Sequence, residues 1–243
     1  MKKNLSAVIF SVSIIVAALI LGGAFINRNA ANETISVTGL CRNNFTSDLI
    51  VWEGRFTKHN SDLKKAYSGL NEDKKIIQNY LLSKGISEEE IVFSAVSTEK
   101  NTTANYSDDG KYMGQKFTGY KLTQRVEIQS KNVTLVEKVS REITELLYKG
   151  VQFYSQMPRY YYTKLSDLKV EMISKATKNA RLRAEMIAEN SGSALGKLSS
   201  ARMGVFQITG QNSNENYTWG GAFNTSSKEK TASITMKLTY KVK

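Results

Sequence analysis

Nucleophiles, bases and metal ligands are scarce in this chain, and their spacing limits the chemistry they can do. The 243 residues hold one histidine, His59, and one cysteine, Cys41. A His-based triad would depend on His59 alone, and a Cys/His zinc cage would stop at two protein ligands. His59 stands beside Lys58 and Asn60 at the end of an alternating run, which reads as a solvated strand edge. Glu88-Glu89-Glu90 reads as a solvated turn before a strand, and Asp108-Asp109-Gly110 as a hairpin turn. Neither a phosphate-cradling Gly loop, a dinucleotide fingerprint nor a Gly-x-Ser-x-Gly elbow occurs. No catalytic, metal or cofactor-binding residue can be named, no cofactor is expected, and the chain reads as a non-enzyme.

Aromatic residues are the better candidates for function. Tyr217, Trp219 and Phe223 sit in a stretch otherwise rich in Asn, Ser, Thr and Gly. Large aromatic side chains on a polar loop favour docking, either back onto their own domain or onto a partner. These three residues are the candidate interaction loop. Pro158-Arg159-Tyr160-Tyr161-Tyr162 offers a cation beside stacked rings, but its place at a strand end favours packing.

Composition narrows the partners. Hydrophobic residues make up 41% of the chain, enough for a full core, and a single proline argues against long disorder. The formal charge of +12 favours an anionic lipid or another polyanion. With one cysteine no intrachain disulfide is possible. Cys41 alternates with Ile35, Val37 and Gly39, so its thiol is expected on the buried side of a strand.

The amino terminus reads as a membrane segment. Met1-Lys2-Lys3-Asn4 precedes an uncharged run from Leu5 to Ile26. About 20 apolar residues span a bilayer, whereas a signal-peptide core holds ~7–15. The run favours an uncleaved anchor within residues 1–30, with a cleaved signal peptide as the alternative. Lys2 and Lys3 would hold the tip in the cytoplasm and place the remainder outside, where nucleic acid is not an expected partner.

Periodicity supplies the elements beyond residue 30. The spacing predicts strands near 34–42 and 48–59, joined through Arg42–Thr46 as a hairpin. Helices follow over 61–84, 132–149 and 165–191, with Ser61 as an N-cap and Gly85, Gly150 and Gly192 as terminators. Strands near 91–105, 116–130, 151–162 and 197–209 lie between and after them, with a polar excursion from Asn101 to Gln115. The cleanest alternation closes the chain, from Ala232 to Val242. In the third helix Leu168, Met172, Ala176, Ala180, Ala184 and Ala188 recur every fourth position, forming a ridge that brings the backbone close to its neighbour. Ser-Asp-Leu-Lys opens both the first helix (61–64) and the third (166–169), a weak sign of duplication. The expected fold is α+β: two strand-helix-strand-strand units, about 31–130 and 131–243, with antiparallel sheets carrying helices on one face.

The alanine ridge, followed by Gly192 and Leu195-Gly196 before a strand, resembles the C-terminal part of the SIMPL-domain family. The opening Ile35-Ser36-Val37-Thr38-Gly39, the stretch Lys84-Gly85-Ile86 leading to Glu90-Ile91, and Thr118-Gly119-Tyr120 match in the same order, over roughly 33–243. Phe93-Ser94 and Cys41-Arg42 depart from the usual pattern. The resemblance implies a periplasmic or envelope protein, self-associating into a homo-oligomer, with some members tied to oxidative-stress defence.

Overall fold

A computed structural model of the protein describes residues 2–30 and 33–243, and the side chains of 8–25 and 33–243. Helix α1 (Lys2–Ala30) comes first. Its Val8–Phe25 stretch has a mean hydropathy of 2.6 and none of it is buried against the protein. Length and composition suffice to cross a membrane, and a signal sequence meets the same condition.

The rest is α+β with two antiparallel sheets. In the first sheet the long strand β10 (Glu229–Val242) is central. It pairs with β1 (Thr34–Thr46) on one side, and with β8 (Leu195–Met203) and β9 (Gln207–Gly210) on the other. Helix α4 (Leu165–Asn190) covers one face. Its buried residues are the four-spaced ridge: Leu168, Met172 and the four alanines. All but Ala188 share a core with Val37 and Cys41 of β1 and Ala232, Ile234, Met236, Leu238 and Tyr240 of β10. The close fit requires Gly39, because a Cβ there would lie 2.7 Å from Ala180 Cβ and nearer still to Ala176 O.

The second sheet is built on β2 (Leu49–Asn60) and β5 (Tyr112–Ser130). Strands β3 (Ile91–Phe93) and β4 (Ser97–Tyr106) flank β5; β6 (Phe153–Ser155) and β7 (Arg159–Tyr161) flank β2. Helices α2 (Leu63–Ser83) and α3 (Val133–Glu142) cover Ile50, Trp52, Phe56, Val126 and Ile128. The long second helix expected from the sequence is α3 continued as a 3-10 helix, Ile143–Lys149. Gly85, Gly150 and Gly192 end their helices at φ 91°, 77° and 73°. Asp62, rather than Ser61, caps α2, accepting from Lys64 N at 2.8 Å and Lys65 N at 3.1 Å. Asp167 lies inside the first turn of α4, so the shared Ser-Asp-Leu-Lys is not a shared cap.

The expected hairpin through Arg42–Thr46 does not form. Strand β1 runs unbroken through those residues, Thr46 pairing with Glu229, and the chain changes sheets at Ser47-Asp48. Asp48 fixes the crossover by accepting from Thr163 N and Thr163 Oγ1, both at 2.7 Å. Side-chain size explains the separation. The small residues of β1 suit the alanines of α4, whereas Trp52 and Phe56 of β2 need the wider gap under α2 and α3. The two cores accordingly cut across the halves 31–130 and 131–243. Val37 and Cys41 pack with Leu168 to Tyr240, and residues 133–160 join the core of β2 and β5. A strand-helix-strand-strand order is still visible in each sheet, β2 closing onto β5 and β1 onto β10.

Candidate functional site

The three aromatic residues lie in the segment between β9 and β10, and buried polar side chains hold it in shape. Gln207 is buried and grips the segment on both faces of its amide. Its Nε2 donates to Thr218 O at 2.8 Å, and its Oε1 accepts from Ala222 N at 2.6 Å and Thr218 N at 3.3 Å. Glu215 accepts from Gly210 N at 2.9 Å and from Asn224 Nδ2. Ile208 exchanges backbone hydrogen bonds with Ala222 and Asn224. Satisfied buried amides of this kind specify one loop geometry.

Within that frame the aromatics separate. Trp219 is 99% exposed, on a turn closed by Gly220-Gly221 and anchored at Thr218. Tyr217 is exposed and lines an open polar cleft of about 530 Å³ with Arg42, Asn44, Thr209, Asn212 and Thr231. Phe223 is as exposed as Tyr217, but its backbone bridges to Ile208 and its side chain borders a small apolar recess with Phe45, Tyr160, Tyr162 and Leu165. The structure thus brings all three aromatics to the surface, and Phe223 also borders apolar neighbours of its own domain.

Lys230 forms the floor of that recess. It is 2% exposed, and its Nζ donates to Tyr160 O at 2.9 Å and Asn224 O at 2.5 Å. The lysine therefore ties the aromatic loop to β7, and so one sheet to the other. Burial draws its pKa down from 10.5 to about 8, with Glu215 acting in the opposite sense. Periodicity could not single out Lys230, which occupies an inward position of β10 as a charge among apolar neighbours. The Tyr160–Tyr162 run is a packing element: Tyr160 is buried, and Tyr162 lies 4.8 Å from Phe45, centroid to centroid.

The other chemically capable residues are dispersed. His59 is exposed on β2, and its Nδ1 lies 3.0 Å from Asn101 Nδ2. Glu88–Glu90 form one 3-10 turn with a capping box at Ser87. Among the described residues no three His, Cys, Asp or Glu side chains gather as a metal cage requires. Cys41 is buried beneath α4, and burial raises its thiol pKa. A suppressed thiolate reacts slowly. Native protein is expected to react with a maleimide at least about tenfold more slowly than urea-unfolded protein. Equal rates would show the thiol to be accessible.

One exposed aromatic group lies where the sequence suggested only a polar excursion. Residues 101–115 continue the β4 and β5 pairing beyond the sheet, with Thr102 opposite Phe117 and Tyr106 opposite Tyr112. The interrupted alternation of Tyr106, Tyr112, Met113 and Phe117 among Thr, Asn and Lys was the available signal.

These features define an α+β domain of two antiparallel sheets behind an apolar N-terminal helix, with a braced aromatic loop. A family model described as SIMPL, protein of unknown function (DUF541), matches residues 35–242, and the chain belongs to that family. No curated protein matches it.

Proposed function

We propose that this is a non-enzymatic envelope protein, anchored by α1, whose folded part self-associates outside the cytoplasm through the Trp219 loop. The observation that carries the reading is a fully exposed Trp on a loop braced by Gln207 and Glu215. A pre-ordered loop loses little conformational freedom on docking, and a Trp contributes large apolar area at an interface centre. The cytoplasmic tip, the uncleaved anchor and the periplasmic domain belong to the same proposal, as does service in envelope integrity or oxidative-stress defence.

Trp219→Ala combined with Phe223→Ala is expected to raise the self-dissociation constant about tenfold or more. Sedimentation of the full chain in detergent micelles measures it, with circular dichroism to verify folding. An unchanged mass distribution in a folded double variant removes the loop from the interface. Phe223 is partly engaged with its own domain, so Trp219→Ala alone should produce most of the effect.

A further inference from the structure

We propose that the ribbon formed by the distal halves of β4 and β5 is an arm by which one copy of the chain grips a second. The proposal rests on the self-association reading and adds a second contact element to it.

The ribbon has no support from the body. The last β2 pair along β5 is Asn60 with Tyr120, and β5 continues outward paired only to β4, as far as Tyr106 opposite Tyr112. From Thr102 to Thr118 every residue except Ser107 and Gly114 is exposed. An isolated two-stranded hairpin is marginal in water. Here both strands also leave their outer edges unpaired, which invites addition of another strand.

The ribbon nonetheless carries large apolar side chains. Tyr106 and Tyr112 pack edge to face at 5.7 Å near the tip, beside exposed Met113, and Phe117 stands against Tyr120 at 5.1 Å. Aromatic and methionine side chains on a projecting, twisted pair of strands are contact material.

Charge selects the occupant. Over residues 102–118, Asp108 and Asp109 balance Lys111 and Lys116, so the formal +12 of the chain resides entirely elsewhere. Two copies meeting body to body bring like charge together. A neutral arm with paired carboxylates at its tip can meet a basic body without that opposition. An anionic bilayer would gain no net attraction from so neutral an arm, which favours a second copy over lipid.

Two variants of the full chain in detergent micelles test this. Tyr112→Cys places an exposed thiol on the ribbon, with Cys41 buried as the internal control. It is expected to couple copies through a short bismaleimide. Tyr106→Ser, Tyr112→Ser and Met113→Ser together are expected to raise the dissociation constant about tenfold or more. A folded triple variant with wild-type mass and no coupling by Tyr112→Cys overturns the arm while leaving the Trp219 loop in place. If the triple variant fails to fold, the coupling result decides alone. Coupling only to other proteins, or protection only by anionic vesicles, also overturns it. A wild-type chain that stays monomeric at every concentration defeats both readings.

Discussion

Replacing Gly39 with alanine is expected to destabilise the α4-covered sheet by about 3 kcal/mol, near the upper end for overpacking. The added methyl has nowhere to go. It would lie 2.5 Å from Ala180 N and 2.7 Å from Ala180 Cβ, and closer still to Ala176 O. Two of the three obstacles are helix backbone, so rotamer changes cannot relieve the clash. Either α4 lifts from β1 or β1 bends away from β10. Lifting α4 exposes a ridge whose alanines are 0–1% exposed in the native fold. Ala180→Gly removes the Cβ contact and leaves both backbone obstacles, Ala176 O and the residue-180 nitrogen, in place, so it should restore only part of the loss. Urea unfolding of the two single variants and the double measures that coupling. Full independence of the two sites would mean that the helix does not approach β1 as closely as described.

The same contact explains what periodicity could and could not reveal. The ridge was legible because a four-residue repeat of alanine has few uses other than close packing, and every member of it is buried. The last strand was legible for a similar reason: its apolar residues alternate without a break from Ala232 to Val242, and only Ser233 on the polar side is buried with them. Pairing partners were not legible. Alternation marks which residues face inward but not which sheet they join, so β1 and β2 looked like a hairpin until side-chain size assigned them to different helices. The break of 151–162 into β6 and β7 follows Pro158, whose ring removes a ladder donor. The interaction loop was legible as aromatics in a polar stretch, but not its bracing. Gln207, Glu215 and Asn224 are ordinary polar residues in sequence, and only tertiary structure brings their amides and carboxylate together. The ribbon was half legible: its turn at Asp108-Asp109-Gly110 was expected, and Gly110 N donates to Ser107 O at 2.8 Å. Its length was hidden because an unsupported pair of strands has no buried face to impose alternation.

Lys230 should make stability rise with pH through the range in which most lysines are silent. Its folded pKa lies near 8, against the ordinary 10.5, because burial penalises the ammonium. Below about 8 the residue is charged in both states, and the folded protein carries the full burial penalty. Between about 8 and 10.5 the folded form releases its proton while the unfolded chain retains it. The unfolded state then binds more protons, so unfolding becomes less favourable as pH rises, by up to about 3 kcal/mol over the whole interval. Other groups act in the opposite direction: burial raises the Cys41 thiol above 9.0 and the Tyr160 hydroxyl above 10.0, so both ionise first in the unfolded chain. The lysine contribution is therefore read as a difference. Lys230→Met keeps an apolar stem of similar length and deletes the titration, although it leaves Tyr160 O and Asn224 O without the Nζ donor. Urea midpoints between about pH 7 and 9.5 should climb more steeply for the natural chain than for Lys230→Met. The aromatic loop provides a second readout, since the ammonium holds Asn224 O beside the segment that carries Trp219. Hydrogen exchange of the Asn224 amide, which donates to Ile208 O at 2.9 Å, should quicken, after correction for its intrinsic pH dependence, as the lysine neutralises and its hydrogen bonds weaken. Parallel midpoints in the two proteins would mean that Lys230 keeps an ordinary pKa, and that water reaches the ammonium in solution.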